Sequence, residues 1–254
     1  MQEDITPDLD KDQHFLINQD VLKKEIKAAD LSENDRVIEI GAGNGTLTKE
    51  LVKKAKNVMA FEIDQRFKLN LEKIKKDNTN LILVYDNALK FDWRGYNKIV
   101  SNIPYSLSEP VIMKAIEDNI DEIVLIVGEN FKELLTSEST KIGVISNIFF
   151  EITPILKVKK EDFEPKPRVE SWLIKLKRKK DSNVSNILIK SMLLKKGKIK
   201  NAILYSLVET GKTKNESRLI ISQLAIDEKT LDKPVAKVTG NLIIKIKKEL
   251  EKIK

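Results

Sequence analysis

The residues Asn102, Ile103, Pro104 and Tyr105 directly follow a short β-branched segment, KIVS (98–101), that is typical of a buried strand. Asn102 offers an amide oxygen. Because proline has no N–H, the backbone carbonyls of Ile103 and Pro104 cannot all be used in a β-ladder. These acceptors could hold a planar amine such as N6 of adenine, and Tyr105 offers a face for a base to stack on. A turn with a packed tyrosine is the alternative.

A glycine-rich turn, GAGNG (41–45), follows the earlier strand candidate RVIEI (36–40) and leads into a helix. Glycines permit a tight turn with no Cβ between backbone and ligand, so an adenosyl group could lie against Gly41 and Gly43. The spacing is GxGxG rather than the GxGxxG of a dinucleotide site, and no Gly-Lys-Ser/Thr of a P-loop follows. NAD and ATP are therefore disfavoured, and an ordinary structural turn is the alternative.

Polar residues also end the next two strand candidates. Glu62 ends the second, and Ile63 follows it. Glu62 lies 19 residues beyond Gly43, where an acidic side chain accepts hydrogen bonds from both ribose hydroxyls in this architecture. Asp86 and Asn87 follow the third, where either side chain could accept from an adenine amino group. The glycine-rich turn and these polar residues stand at three successive strand ends, and together they predict a nucleoside-type cofactor.

The chain has no cysteine and a single histidine, His14. Disulfides, thiolate chemistry and a Cys/His zinc cluster are therefore excluded, and no metal site is predicted. Transfer of the methyl group of S-adenosylmethionine (SAM) fits these limits. Its sulfonium is already a good leaving group, so positioning at Asn102 can carry much of the catalysis without a histidine base.

Such a site needs strands that end at one edge of a sheet. From Arg36 onward, β-branched runs alternate with amphipathic stretches of about ten residues, as in parallel α/β folds. The five strand candidates are RVIEI (36–40), VMAFE (58–62), LILVY (81–85), KIVS (98–101) and EIVLIV (122–127). They predict a doubly wound, Rossmann-like sheet that binds ligands at the carboxyl ends of its strands. Segments 152–158 and 169–177 predict an antiparallel hairpin at the sheet edge.

The pattern changes after residue 180, where lysine-rich segments of helical periodicity follow and no strand pattern is found. We predict a catalytic domain over residues 1–180 and a small helical domain over residues 181–254. Residues 178–254 carry 19 Lys and Arg against 8 Asp and Glu, whereas residues 1–177 carry 27 against 31. Such asymmetry favours a polyanion partner, and a solubilising lysine-rich surface is the alternative.

The sequence shows neither a long uncharged apolar stretch nor a basic-then-apolar leader, so we predict a cytoplasmic protein without membrane association. We also expect a monomer.

Three motifs together resemble the rRNA adenine N6-dimethyltransferases of the KsgA type, relatives of the Erm resistance methyltransferases. DQHFLIN (12–18) resembles the Gln-Asn-Phe-Leu box of the family, NIPY (102–105) its reacting motif, and FEPKPRVES (163–171) its Phe-x-Pro-x-Pro segment. The DNA adenine enzymes instead show Asp-Pro-Pro-Tyr, and the glutamine N5 enzymes Asn-Pro-Pro-Tyr. The resemblance covers nearly the whole chain and implies a class I SAM-dependent methyltransferase.

The resemblance also implies roles for individual residues. Gln13, His14 and Leu16 would lie in the cofactor site, with His14 and Leu16 at the methionine and ribose portions. Gly41 would contact the cofactor through its backbone, and Glu62 would hold the ribose. Asn102 would stand at the point of methyl transfer and would also belong to the cofactor site. Phe163 would sandwich a flipped adenine against Tyr105, because a stacked ring cannot bring N6 to the sulfonium.

The sequence departs from the family at three places. His14 stands where relatives commonly carry Asn. The acidic residue that follows the third strand in the family aligns best with Asn87, with Asp86 one position earlier, so either could face the adenine. GEN (128–130) replaces a Gln-Lys-Glu-like stretch at the entrance to the site.

The implied function is dimethylation of N6 of two adjacent adenosines near the 3′ end of small-subunit rRNA during ribosome biogenesis. The substrate would be small-subunit rRNA in a pre-ribosomal small subunit, gripped through its backbone by the basic helical domain. One alternative is Erm-like dimethylation of a single adenosine in large-subunit rRNA. Another is an RNA-binding assembly factor with little catalysis.

Overall fold

The computed structural model describes residues 13–180 and 184–252. Its strands are β1 (Phe15–Leu16), β2 (Arg36–Ile40), β3 (Asn57–Phe61), β4 (Leu81–Val84), β5 (Lys98–Ser101), β6 (Glu122–Gly128), β7 (Phe150–Val158), β8 (Phe163–Glu164) and β9 (Ser171–Arg178). Its helices are α1 (Gln19–Ala29), α2 (Thr46–Leu51), α3 (Lys68–Asp77), α4 (Ser108–Glu117), α5 (Glu129–Thr136), α6 (Lys141–Phe149), α7 (Val184–Leu194), α8 (Ile199–Glu209), α9 (Lys214–Gln223), α10 (Glu228–Leu231) and α11 (Gly240–Glu251). None of the described helices is long and apolar enough to cross a membrane.

Seven strands form one mixed sheet in the order β4-β3-β2-β5-β6-β9-β7. The pairs from β4 to β6 are parallel, and β9 runs antiparallel to β6. The strand order reverses between β2 and β5, which is the switch point where open α/β sheets bind ligands. The predicted doubly wound sheet is therefore confirmed, with β9 and β7 at the predicted edge.

Strand β6 lies between β5 and β9 in this sheet and contains a continuous apolar run, IVLIV (123–127). All seven of its residues are buried. A parallel strand covered by helices on both faces needs apolar side chains in every position, not in alternate ones. Helix α1 places Val21, Leu22, Ile26 and Ala29 on one buried face, at helical spacing. This face packs into the same hydrophobic cluster as β2 and β6.

A short sheet that the sequence did not predict joins two distant segments. Strand β1 pairs antiparallel with β8, so that Phe15 lies opposite Glu164 and Leu16 opposite Phe163. Just beyond it, the N–H groups of Ile17 and Asn18 both donate to the carbonyl of Asp162. The pairing brings the Gln-Asn-Phe-Leu-like box to the Phe-x-Pro-x-Pro segment.

The chain folds into two compact units. Of the described residues, 13–133 and 151–178 form the first unit, and 134–150, 179–180 and 184–252 form the second. The division after residue 178 lies two residues before the predicted boundary at 180, and residues 181–183, which follow that boundary, lie outside the described residues. Helix α6, which the prediction placed in the catalytic domain, belongs to the same unit as the C-terminal helices. The N–H of Lys179 donates to the carbonyl of Phe149 at 2.9 Å, and α6 packs against α7 and α11.

Candidate active site

One cavity of about 440 Å³ opens at the carboxyl ends of β2, β3, β4 and β5, with β1 and β8 along its side. It brings together every residue that the sequence marked as a candidate for the site. These are Gln13, His14, Leu16, Gly41, Gly43, Glu62, Ile63, Asp86, Asn87, Asn102, Ile103, Pro104, Tyr105 and Phe163.

The glycine-rich turn forms the floor of the cavity at the end of β2. The N–H groups of Gly41 and Ala42 donate to the carbonyl of Phe61 at 2.8 and 3.0 Å, which ties the turn to β3. Gly45 has a φ of +76° and is the N-cap of α2. A Cβ at this position would lie 2.2 Å from Cδ1 of Ile74, so only glycine fits both the backbone conformation and the packing.

We expect Gly45→Ala to lower the free energy of unfolding by about 2–4 kcal/mol, since it combines left-handed strain with overpacking against α3. Gly95→Ala is the matched control, because Gly95 has a φ of +91° but no heavy atom nearer than 3.9 Å to an added Cβ. It should cost only about 1–2 kcal/mol of backbone strain. Urea denaturation measures both changes, and equal losses would contradict the packing argument.

Glu62 is a buried carboxylate whose two oxygens are already oriented by the backbone. Its Oε2 accepts from the N–H of Gly43 at 2.7 Å, and its Oε1 accepts from the N–H of Asp64 at 2.8 Å. Burial raises the pKa of Glu62, while these two hydrogen bonds oppose that shift. The carboxylate is thus held rigidly at the cavity wall, and each oxygen retains a further lone pair for a ligand hydroxyl.

Next to Glu62, Asp64 holds the start of the described chain against the site. Its carboxylate accepts from Nε2 of Gln13 at 3.0 Å and makes a bidentate pair with Arg66, which lowers the pKa of Asp64. Gln13 therefore reaches the cavity as part of this hydrogen-bonded group.

The third strand end carries two polar side chains that also stabilise their own turn. Oδ1 of Asp86 accepts from the N–H of Asn87 at 2.6 Å and from Nζ of Lys90 at 2.9 Å, which lowers the pKa of Asp86. Oδ1 of Asn87 caps the following 3-10 turn by accepting from the N–H of Leu89 at 3.0 Å. Both residues line the cavity, but neither oxygen named here is dedicated to a ligand.

The reacting end of the cavity is the segment from Asn102 to Tyr105. Nδ2 of Asn102 donates to Oε2 of Glu25 at 3.2 Å, whereas the buried Oδ1 of Asn102 has no partner within the described parts of the chain. The Pro104 carbonyl accepts from the N–H of Leu107 at 2.9 Å. No donor to the Ile103 carbonyl is found among residues 13–180 and 184–252. An amide oxygen and a backbone carbonyl are thus the acceptors left for a ligand.

The ring of Tyr105 is held on several sides. Its hydroxyl lies 2.5 Å from Oγ of Ser171 on β9, and the ring of His14 stacks on it with a centroid distance of 6.2 Å. A Cβ at Gly128 would lie 3.6 Å from the Tyr105 ring, which is an ordinary van der Waals distance, so the backbone of β6 passes close to this ring. Nδ1 of His14 lies 2.8 Å from the carbonyl of Pro165, which connects the ring to the Phe-x-Pro-x-Pro segment.

Phe163 lines the cavity but is only 4% exposed and packs into the main hydrophobic cluster. The aromatic group that it presents to the cavity is therefore fixed by core packing.

Sequence reasoning missed two buried carboxyl groups beside these residues. Glu39 in β2 and Glu25 in α1 are 1% and 0% exposed. Burial raises the pKa of each to about 8, and a hydrogen bond from Asn102 opposes the shift at Glu25. Glu39 is the fourth residue of RVIEI, and Glu25 lies on the apolar face of α1. A carboxylate at an otherwise apolar position is the sequence signal that could have revealed both.

Known proteins are similar to much of the chain. The family model described as "Ribosomal RNA adenine dimethylase" matches residues 9–243. The chain is 38% identical over 171 residues to a "Probable ribosomal RNA small subunit methyltransferase A" of Methanococcus vannielii, and the alignment spans 65% of this chain and 64% of that protein. It is 41% identical over 170 residues to an "rRNA adenine N-6-methyltransferase" of Escherichia coli, with 65% and 69% covered.

A solved structure of a dimethyladenosine transferase from Plasmodium falciparum is 25% identical to the chain. It superimposes with a TM-score of 0.65 and covers 94% of this chain and 98% of its own. The likeness thus extends over both compact units.

Proposed function

The chain belongs to the ribosomal RNA adenine dimethylase family, and from that premise we propose that it dimethylates N6 of two adjacent adenosines near the 3′ end of small-subunit rRNA. The observation that carries the proposal is the buried Oδ1 of Asn102, which has no hydrogen-bond partner among the residues that the structure describes and lies on the same short segment as the fixed ring of Tyr105. A buried acceptor without a donor is costly unless a ligand supplies one, and the amino group of adenine is such a donor.

The residues of the cavity fit SAM as the cofactor. Glu62 would accept from the ribose hydroxyls, the backbone at Gly41 and Gly43 would lie against the adenosyl group, and Asp86 or Asn87 would contact the adenine. His14 and Leu16 would border the remaining portion. When bound, the cofactor would supply a methyl group attached to a sulfonium. The sulfonium sulfur is a good leaving group without activation by a metal or a thiolate.

The chain's own residues would act mainly by positioning the target amine. Oδ1 of Asn102 and the Ile103 carbonyl would accept the two hydrogens of N6, which directs the nitrogen lone pair at the methyl carbon. The cofactor would supply the methyl carbon and keep the electrons of the former C–S bond on its sulfur, and the N6 proton would leave to water. Tyr105 would hold the flipped base by stacking, since a base within a helix cannot reach this point.

The basic charge of residues 178–254 would contact the RNA backbone. Nineteen Lys and Arg against eight Asp and Glu suit phosphate contacts, which carry little sequence information. RNA affinity should therefore fall steeply as the salt concentration rises.

A labelling experiment tests the proposed function. Incubate the protein with methyl-labelled SAM and immature small or large ribosomal subunits that lack the modification, then map the labelled positions. We expect label at two adjacent adenosines near the 3′ end of the small-subunit RNA. Label confined to large-subunit RNA would favour the Erm-like activity, and RNA binding without any label would favour an assembly factor.

The stacking role of Tyr105 gives a separate prediction. Tyr105→Ala should raise the KM for RNA by about 10-fold, because base–aromatic stacking contributes about 1–3 kcal/mol. Tyr105→Phe keeps the ring and loses the hydroxyl with its contact to Ser171, so its KM should stay within about 3-fold of wild type. Steady-state kinetics measure both variants, with Tyr96→Ala as a control outside the cavity. An unchanged KM in Tyr105→Ala would contradict stacking.

A further inference from the structure

Helix α1 carries one carboxyl group on its buried face. Val21, Leu22, Ile26 and Ala29 form this face with Glu25, which is completely inaccessible to solvent. Helical spacing alone predicts an apolar side chain there, because a buried carboxyl group is unfavourable unless its hydrogen bonds are satisfied. The environment supplies little compensation, since Oε1 of Glu25 has no hydrogen-bond partner in the described ranges.

The single hydrogen bond of the Glu25 side chain found in the described ranges goes to the residue at the reacting end of the cavity. Nδ2 of Asn102 donates to Oε2 of Glu25 at 3.2 Å. Asn102 lines the cavity and Glu25 does not, so the carboxyl group contacts the amide from the side that faces away from the cavity.

This contact decides which end of the Asn102 amide faces the ligand. An amide has a donor end and an acceptor end of nearly the same shape, and rotation by half a turn exchanges them. If Nδ2 faced the cavity, it would oppose the hydrogens of an adenine amino group. An acceptor behind the amide binds the donor end and leaves Oδ1 for the ligand. Glu25 can accept whether it is ionised or protonated, because a protonated carboxyl group retains its carbonyl oxygen.

We propose that Glu25 is a positioning residue that fixes the Asn102 amide with Oδ1 directed at the substrate amine. The inference rests on the proposed function, because it is the adenine amino group that needs an acceptor. Glu25 itself touches neither the base nor the cofactor, and it acts through Asn102 alone.

If Glu25 had only a structural role, its replacement would change activity only through a change in stability. Burial raises the pKa of Glu25 to about 8, so the group disfavours folding in its ionised form. Replacing a buried carboxyl group with an apolar side chain of similar volume is often neutral or stabilising. Loss of activity without loss of stability would therefore separate positioning from a structural role.

The test compares Glu25→Leu, which has no acceptor, with Glu25→Gln, which keeps a carbonyl oxygen. We expect Glu25→Leu to lower kcat by about 10-fold to 100-fold, to leave the Kd for SAM within about 2-fold, and to keep or raise the melting temperature. Glu25→Gln should recover kcat to within about 5-fold of wild type, because its oxygen can accept from Nδ2. If Glu25→Leu does not fold, Glu25→Ala carries the same prediction for kcat.

Ile26→Val is the matched control, since Ile26 lies next to Glu25 on the same buried face and does not line the cavity. It should lower the melting temperature and leave kcat unchanged at a temperature well below melting. A wild-type kcat in Glu25→Leu, or equal losses of kcat and melting temperature in Glu25→Leu and Glu25→Gln, would overturn the proposal. A wild-type protein that transfers no label to RNA would instead contradict the proposed function and remove the basis of this inference.

Discussion

Asn102→Ala is expected to lower the rate of methyl transfer by about 100-fold to 1,000-fold, the usual loss when one preorganised hydrogen-bonding group of an active site is removed. The substitution removes the one buried side-chain acceptor of the reacting segment, Oδ1, which has no protein donor within the described chain. In the proposed mechanism, the N6 lone pair would then no longer be directed at the methyl group. Single-turnover kinetics at saturating SAM and RNA measure this loss.

Binding should change little in the same variant. The Asn102 side chain is uncharged, and in the proposed complex Glu62 would hold the ribose, so we expect the Kd values for RNA and SAM to stay within about 3-fold of wild type. Asn70→Ala is a suitable control, since this half-buried asparagine on α3 lies outside the cavity lining. A wild-type rate in Asn102→Ala would refute its role, and a loss explained by weaker RNA binding would move that role away from the chemical step.

Glu62→Ala should raise the Kd for SAM by about 100-fold or more. In the proposed complex, two hydrogen bonds from ribose hydroxyls to the carboxylate would be lost, and each would contribute about 1.5–3 kcal/mol. Glu62 is suited to this task because the N–H groups of Gly43 and Asp64 hold its two oxygens in fixed directions. Isothermal titration calorimetry with SAM measures the change.

A second variant is needed because Glu62→Ala also leaves two backbone N–H groups without an acceptor. Glu62→Gln keeps the side-chain volume, and we expect it to raise the Kd for SAM by about 10-fold. Glu50→Ala on α2 removes an exposed carboxylate that pairs with Lys53, and it should leave SAM affinity unchanged. A Kd within about 3-fold of wild type in both Glu62 variants would contradict the ribose assignment.

The main sheet could be predicted from the sequence because its strands are short, β-branched and bounded by turn residues. RVIEI and KIVS have the observed bounds of β2 and β5. Strands β4 and β6 differ from their predictions by one residue at the carboxyl end, and β3 begins and ends one residue earlier than predicted. Strand ends in a parallel sheet meet at one edge, so the cavity residues could also be inferred to lie together.

Other features depend on contacts that one-dimensional patterns do not contain. Strand β1 has only two residues, so no alternation could reveal its pairing with β8. The grouping of α6 with the C-terminal helices comes from close packing, in which an added Cβ at Gly240 would lie 2.6 Å from the carbonyl oxygen of Ser139. The contact between Glu25 and Asn102 joins residues 77 positions apart.

The polar residues at the third strand end show another limit of sequence reasoning. Asp86 and Asn87 were predicted as possible acceptors for adenine, but the sequence could not show that Lys90 and the N–H of Leu89 also bind them. Local turns compete for the same oxygens that a ligand would use. The assignment of one of these residues to the adenine therefore stays a prediction.

The atom that receives the methyl group tests the central claim most directly. After reaction of the wild-type protein with unmodified small-subunit RNA, the RNA is digested to nucleosides and analysed by mass spectrometry. The geometry at Asn102 and Tyr105 predicts N6,N6-dimethyladenosine as the product, and its near absence with Asn102→Ala. Methylation only at a ribose oxygen, at a pyrimidine or at a ring nitrogen of adenine would contradict the account.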